Sequence, residues 1–95
     1  MSVYVDNAKN DYGRMKMCHM VADTLDELHM MAGLIGVQRK WFQSTVTASF
    51  PHYDICQSKR ALAVQYKAVE VDRRGLAEVM RRVRSQSAKI GKQDV

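Results

Sequence analysis

The pattern of apolar and polar positions near the N-terminus predicts two strands followed by a helix. Val3–Val5 is a short β-prone run that stops at the turn-forming pair Asp6-Asn7. After a polar loop, residues 15–22 become continuously apolar toward Ala22, which is typical of a central strand buried on both faces. This strand leads directly into a helix predicted over residues 24–35, and a strand that feeds a helix is the elementary step of an α/β layer fold.

Local signals define both ends of that first helix. Thr24 and Glu27 have capping-box spacing at its start, and Gly36 stands where a helix commonly ends on a left-handed residue. Between them, apolar residues recur with helical periodicity at Leu25, Leu28, Ala32 and Ile35. The sequence therefore predicts a helix that packs one face against the sheet.

The second half of the chain predicts further alternation of strands and helices. Residues 40–43 are interpreted as a short strand, residues 43–50 have no firm assignment, and residues 52–55 are a turn or short strand. Helices are predicted over 57–67 and 74–85, with a strand over 69–71 between them. The predicted order is β-β-α-β-α-β-α. We expect one small α/β domain over residues 1–85 with a mostly parallel short sheet, followed by a loose basic tail over 86–95.

Length and composition limit the classes of protein to consider. The 95 residues have room for a single core, so pairing with a second copy would help and a homo-oligomer is expected. No apolar run approaches the roughly 18 residues that span a membrane, and the first residues lack a signal-peptide pattern. We therefore expect a cytoplasmic protein without membrane contact, in which Cys18 and Cys56 are free thiols.

The net charge of +5 comes entirely from the second half of the chain. Residues 1–50 contain five basic and five acidic residues, whereas residues 51–95 contain ten and five. A basic segment of this kind suits nucleic acid or an acidic partner, and it is also typical of a solvated helix face. The candidate nucleic-acid face consists of Arg73, Arg74, Arg81, Arg82 and Arg84.

Three aspartates follow predicted strands and are candidates for catalysis. Asp6, Asp23 and Asp54 would share one edge of a parallel sheet, where ligands gather. Together they could hold Mg²⁺ or Mn²⁺ for phosphate-ester chemistry. The simpler alternative is that these residues cap helices and turns, so no metal or other cofactor is favoured.

The histidines raise two further possibilities. His19 and His52 could each act as a general base or bind a phosphate, and His19 is a catalytic candidate. With Cys18 and Cys56 they have the residue types of a zinc site, but adjacent Cys18 and His19 point to opposite faces of a strand. A structural role for both histidines is the alternative.

A phosphate-binding site is predicted at the start of the second half. A helix N-terminus suits an anion, and basic and aromatic residues lie around the helix predicted from residue 57. An exposed aromatic ring there could stack on a base. The candidate ligand-binding residues are Arg14, Trp41, His52, Tyr53, Lys59 and Arg60.

Segments across residues 3–84 together resemble the bacterial and phage family described as domain of unknown function 4031. They include VYVDNA at 3–8, GRMKMCHMVADT at 13–24, ELHMMAGLIG at 27–36, KWFQ at 40–43, PHYDI at 51–55, SKRALAV at 58–64 and AVEVDRR at 68–74. The resemblance implies no activity, substrate or cofactor, and it suggests a phage or prophage origin. One departure is Lys67, where similar sequences tend to have glycine.

Taken together, these features favour a non-catalytic binding module for a nucleotide or another phosphorylated ligand. If the origin is phage, such a module could sequester a host signal or inhibit a host protein in the host cytoplasm. One alternative is a metal-dependent phosphodiesterase or nuclease that uses the three aspartates. Another is a nucleic-acid accessory protein that uses the basic C-terminal helix.

Overall fold

A mixed β-sheet organises the protein. The computed structural model describes residues 2–44 and 50–94. Strands β1 (Val3–Val5) and β2 (Asn10–Tyr12) lie one after the other along one edge of β3 (Met15–Ala22), and both run antiparallel to it. Strand β4 (Tyr53–Cys56) pairs antiparallel with the opposite edge of β3, and β5 (Val69–Glu70) pairs parallel with β1. The long strand β3 is therefore the centre of the sheet.

Three α-helices join these strands within the described residues: α1 (Leu25–Ile35), α2 (Gln57–Gln65) and α3 (Arg73–Asp94). A 3₁₀ turn, Arg39–Trp41, follows α1 and precedes β4. The predicted caps of α1 are confirmed. The Thr24 hydroxyl accepts the Glu27 backbone N–H at 3.2 Å and donates to the Glu27 carboxylate at 2.8 Å. At the other end Gly36 has a left-handed φ of 81°.

The helices cover both faces of the sheet and create two clusters of buried side chains. Helices α1 and α2 pack on one face, and α3 packs on the other, where Leu76 and Val79 meet Val21 and Phe50. The larger cluster consists of Val3, Val5, Cys18, Met20, Ala22, Leu28, Met31, Ala32, Ile35, Tyr53, Ile55, Ala63 and Ala68. The protein is thus a three-layer α/β domain, and no helix in its described part is long and apolar enough to cross a membrane.

The α/β class is confirmed, but the predicted element order is wrong in two places. The polar stretch after Asp6 contains β2, which pairs with the start of β3 through a turn at Gly13 (φ 61°). All three β2 residues are exposed, so no apolar alternation marks this strand. The predicted strand over 40–43 is instead mostly the 3₁₀ turn, and only Gln43 forms a bridge, to His52. Residues 45–49 of the unassigned stretch lie outside the described residues.

The prediction of a mostly parallel sheet is also wrong. Among the strands of residues 2–44 and 50–94, only β1 and β5 pair in parallel, whereas the other three strand pairs are antiparallel. The physical reason is that β2 and β3 form a tight hairpin, which always makes antiparallel neighbours.

The last helix is longer than predicted, because α3 continues to Asp94, past the predicted end at residue 85. Alanine, lysine and glutamine in this stretch are good helix formers, and no proline interrupts it.

The end of α2 explains the departure at Lys67. This residue has a left-handed φ of 78°, and the N–H groups of Lys67 and Ala68 bond to the carbonyls of Val64 and Ala63. The helix therefore closes with the left-handed cap that usually selects glycine, although lysine occupies the position.

Candidate functional site

A cleft of about 540 Å³ opens beside the central strand. It lies between the β2–β3 hairpin, β4, and the segment that follows α1. Its lining combines apolar and aromatic side chains with a few polar groups, which is typical of ligand pockets. The lining residues are Asn10, Asp11, Tyr12, Met15, Met17, His19, Gly36, Val37, Gln38, Trp41, Gln43, Asp54, Ile55, Cys56 and Lys59.

His19 is held in the cleft by a buried carboxylate. Asp6, only 4% exposed, directly follows β1, and one of its oxygens lies 2.7 Å from His19 Nδ1. The other oxygen accepts the backbone N–H groups of His19 at 2.8 Å and of Ala8 at 3.3 Å. A carboxylate held by two backbone donors can only accept from the ring. Nδ1 therefore carries a proton, and Nε2 is the ring nitrogen that the Asp6 contact leaves open.

A second histidine and a second carboxylate lie beside this pair. His52 Nδ1 lies 2.8 Å from the Phe50 carbonyl oxygen, so it donates, and His52 Nε2 lies 3.3 Å from Asp54 Oδ1. The other oxygen of Asp54 accepts the Gln43 side-chain amide at 2.8 Å. His19 Nε2 lies 3.9 Å from the same Asp54 Oδ1, which is too long for a hydrogen bond.

The pairing of β3 with β4 places His19 next to Asp54. The register of β3 and β4 places His19 opposite Asp54 and Met17 opposite Cys56, so all four point to one face of the sheet. The rings of His19 and His52 are 5.6 Å apart and meet edge to face. We call Asp6, His19, His52, Asp54 and Gln43 the histidine–carboxylate network.

The two cysteines have opposite environments. Cys18 lies in the buried core, where burial raises the pKa of its thiol to about 12. Cys56 lines the cleft at the start of α2, with Sγ 3.2 Å from the Ser58 hydroxyl. Burial alone would raise the pKa of the Cys56 thiol. Hydrogen bonds from Ser58 and from backbone N–H groups at the helix start hold it below its ordinary value.

Lys59 and Trp41 add a cation and an aromatic surface to the cleft. Trp41 is 56% exposed, and its ring lies 5.4 Å from the Lys40 ammonium. Lys59 reaches the end of α1, where a Cβ added to Gly36 would lie 3.1 Å from its Nζ. Both residues were predicted to bind the ligand, and both lie in the cleft.

Asp23 lies away from the other two candidate aspartates. Its backbone N–H bonds to the Ser2 carbonyl, so it sits beside the start of β1, whereas Asp6 follows the end of β1, about 13 Å along the strand. Its carboxylate binds Arg82 at 2.6 Å, the Tyr4 hydroxyl, and the Ser2 backbone N–H. Burial alone would raise the pKa of Asp23, but these hydrogen bonds hold it below its ordinary value. Because β3 runs antiparallel to β1 and β4, its C-terminal end lies at the opposite end of the sheet from the C-terminal end of β1. The expectation that the three aspartates lie together is therefore wrong.

The predicted capping roles of Asp23 and Asp54 differ from the structure, whereas Asp6 caps the turn after β1 by accepting the Ala8 N–H. Thr24 rather than Asp23 caps α1, and α2 begins after Cys56, so Asp54 lies within β4. In the ranges 2–44 and 50–94, no group of three or more His, Cys, Asp or Glu side chains is arranged to hold a metal ion. Mg²⁺ or Mn²⁺ binding stays a prediction of the sequence.

The other four predicted ligand-binding residues do not line the cleft, and His52 is one of them. Tyr53 is fully buried, and its hydroxyl lies 2.8 Å from His29 Nδ1, so it cannot stack on a base. Arg60 donates to the Asp6 carbonyl oxygen at 2.8 Å and to Glu70 at 3.0 Å, which ties α2 to β1 and β5. Arg14 is exposed in the turn before β3.

The five candidate nucleic-acid arginines all lie in α3 and are exposed. Their positions fall on the half of the helix opposite Leu76 and Val79, which pack on the sheet. Arg82 is engaged with Asp23, and the Arg84 guanidinium lies 5.7 Å from the Phe50 ring.

Three residues that line the cleft, Tyr12, Met17 and Gln43, were not predicted as site residues, and Cys56 was considered only as a zinc ligand. Alternation along β3 could have grouped Met17 with His19, because residues two apart in a strand share a face. No local signal reveals that β4 pairs with β3, so the proximity of Asp54 and Gln43 to His19 was not predictable.

Comparison with known proteins identifies a family. No curated protein and no solved structure matches the chain. The family model described as Protein of unknown function (DUF4031) matches residues 3–83, which confirms the resemblance drawn from the sequence segments. The chain therefore belongs to this family.

Proposed function

We propose that the cleft binds a nucleotide or a similar phosphorylated ligand. The observation that supports this most is the placement of an exposed tryptophan and a lysine on the wall of one cleft beside the start of α2. Trp41 would stack on the base, a contact worth about 1–3 kcal/mol. The Lys59 ammonium would bind the phosphate.

The cleft also has the size and the polar groups that such a ligand needs. Its volume of about 540 Å³ falls within the usual range of small-molecule pockets. Gln43 and Asp54 present an amide and a carboxylate that can bind the ribose hydroxyls or the exocyclic amines of a base. These polar groups and the exposed Trp41 ring suit a ligand that has both an aromatic ring and a charge.

The test compares binding by wild type and two lysine variants. Purified protein is screened by thermal shift against nucleoside mono-, di- and triphosphates, and hits are measured by calorimetry. A ligand at 100 times its Kd stabilises the native state by about 2.7 kcal/mol. Lys59→Ala should weaken binding at least about tenfold, whereas Lys9→Ala, an exposed lysine outside the cleft, should not. Equal affinity of Lys59→Ala and wild type would contradict the proposal.

A second candidate function rests on α3. The exposed arginines Arg73, Arg74 and Arg81 would contact phosphates of DNA or RNA, as an accessory protein would. Retention on nucleic acid that falls steeply with salt, and that is lost in an Arg74→Ala/Arg81→Ala variant, would support it. The metal-dependent alternative loses its predicted cluster, because Asp23 binds Arg82 instead.

The remaining predictions concern biological setting. We propose a cytoplasmic protein, of phage or prophage origin, that acts as a homo-oligomer and whose ligand is a host signal or whose partner is a host protein. Light scattering tests the oligomer directly, and a monomer at all concentrations would contradict it.

A further inference from the structure

We propose that the cleft selects guanine among the nucleobases, and that Gln43 and Asp54 bind the edge of the base. This inference rests on the proposed function, since the cleft must first bind a nucleotide. It goes further by choosing between the two roles open to these side chains, contact with ribose hydroxyls or contact with a base, and by naming the base.

Asp54 offers hydrogen-bond acceptors to the cleft. Its side chain is 37% exposed and lies on the cleft wall. A carboxylate has about four acceptor positions on its two oxygens. Among the described residues, Gln43 uses one of these positions at 2.8 Å, and His52 Nε2 lies 3.3 Å from the other oxygen. One position therefore remains on each oxygen, so a ligand that donates two adjacent hydrogen bonds fits this carboxylate.

Gln43 adds a donor beside these acceptors. Its amide nitrogen faces the carboxylate at 2.8 Å, because an amide oxygen in that position would be repelled. The amide group has two N–H donors, and one of them is directed at Asp54. The second N–H can be given to a ligand, since Gln43 also lines the cleft. The two side chains therefore present a row of one donor and two acceptors.

Backbone pairing holds both side chains in place. Asp54 lies within β4, where it is opposite His19 of the central strand. Gln43 forms a bridge with His52, in which the two residues exchange backbone hydrogen bonds of 2.9 and 3.0 Å. Binding groups on rigid elements lose little conformational freedom when a ligand arrives, so their hydrogen bonds discriminate well between ligands.

This row of hydrogen-bonding groups is complementary to one edge of guanine. Guanine presents the O6 acceptor, the N1–H donor and the N2–H₂ donor side by side, which match the amide N–H of Gln43 and the two oxygens of Asp54. Adenine and cytosine have a ring-nitrogen acceptor in the central position, and uracil has a carbonyl oxygen in the last one. Each of these bases would therefore place an acceptor against the carboxylate, which leaves both groups unpaired.

The rest of the cleft suits the other parts of a guanine nucleotide. Trp41 is 56% exposed on the cleft wall, so its ring can stack on the face of the purine. The Asp54 carboxylate repels a phosphate anion, so the uncharged base rather than the phosphate belongs beside it. The phosphate would instead contact Lys59, the lysine that lines the same cleft.

The experiment measures binding of nucleoside 5′-monophosphates to the full chain by calorimetry. The ligands carry guanine, hypoxanthine, xanthine, adenine, cytosine or uracil, so that they differ only in the base. The guanine nucleotide should bind at least about tenfold more tightly than the hypoxanthine nucleotide, which lacks only the N2 amine. The reason is the loss of one hydrogen bond to a charged acceptor.

Two variants test the two side chains. In Asp54→Asn the amide oxygen can still accept from Gln43, which leaves the amide N–H₂ in the position of the second acceptor. This group opposes the N2 amine of guanine but donates to the O2 carbonyl of xanthine, so the variant should bind the xanthine nucleotide more tightly than the guanine nucleotide. Gln43→Ala should weaken binding of the guanine nucleotide about fivefold, because the O6 donor is lost. Asp26→Asn, an exposed aspartate on α1 outside the cleft, should keep the wild-type order of affinities.

Several outcomes would overturn the inference. These are equal affinity for the guanine and hypoxanthine nucleotides, similar affinity for all bases, or an unchanged preference for guanine in Asp54→Asn. Similar affinity for all bases would assign the carboxylate to the ribose hydroxyls, and the proposed function would stand. Absence of binding by every nucleotide removes the proposed function as well. If Asp54→Asn is unfolded by circular dichroism, the comparison of guanine with hypoxanthine on the wild-type protein still decides.

Discussion

Replacing Asp6 with asparagine should reverse the proton position on His19. In the wild type the carboxylate accepts from Nδ1, so the Nδ1–H form is fixed. In Asp6→Asn the side-chain oxygen can still accept the backbone N–H groups of His19 and Ala8, which leaves the amide NH₂ facing the ring. Nδ1 must then accept, and the proton moves to Nε2.

The stability change can be estimated from the bonds that change. Two backbone hydrogen bonds to a charged acceptor become bonds to a neutral one, and the charged contact with the ring becomes a neutral one. Hydrogen bonds to charged groups contribute about 1.5–3 kcal/mol and neutral ones about 1 kcal/mol. Three bonds change in this way, so we expect a net loss of at least about 1.5 kcal/mol, or a Tm lower by at least about 6 °C.

Nitrogen-15 NMR of the histidine rings measures the tautomer directly, and thermal unfolding measures the stability. Asp26→Asn is the matched control, because Asp26 is exposed in the first turn of α1 and should lose well under 1 kcal/mol. A wild-type protein in which His19 carries its proton on Nε2, or an Asp6→Asn variant with unchanged tautomer and Tm, would refute the geometry of the network.

Three further predictions concern the rest of the molecule. Iodoacetamide near pH 8 should label Cys56 much faster than Cys18, because the pKa of Cys56 is lowered and burial raises the pKa of Cys18 to about 12. Mass spectrometry of peptides measures the labelling, and equal labelling of the two cysteines would contradict this. Asp23→Asn should lose about 1–2 kcal/mol at neutral pH. Since the folded-state pKa of Asp23 is lowered, chemical denaturation should show this difference above about pH 4 and its disappearance as the pH falls further. Lys67→Gly should raise the free energy of unfolding by about 0.5–1 kcal/mol, because glycine tolerates the left-handed cap; a destabilised variant would contradict the assignment.

Local features of the fold were predictable because they depend on neighbours in sequence. The Thr24–Glu27 capping box and the Gly36 cap belong to one helix. Each capping group has its hydrogen-bond partner within four residues in the sequence. Strand β2 was not predictable from apolar patterning. Its residues are exposed, and it is held by backbone pairing with β3.

The candidate site depends on long-range pairing, which the sequence does not specify. Asp6, His19 and Asp54 come from three different strands or strand ends, and they meet because β1 and β4 flank β3. Parallel strands would have placed Asp23 near these residues. Because β3 runs antiparallel to β1 and β4, Asp23 instead lies at the opposite end of the strands, where it binds Arg82. The residue types were therefore predictable, but their grouping was not.

If the cleft beside the central strand holds the ligand, an NMR titration will locate the binding site there. Amide and indole signals of nitrogen-15-labelled protein are followed as the best nucleotide from the thermal screen is added. We expect shifts confined to the cleft, at Trp41, Gln43, Lys59 and His19, with α3 unaffected. Shifts confined to the arginines of α3, with the cleft signals unchanged, would contradict it.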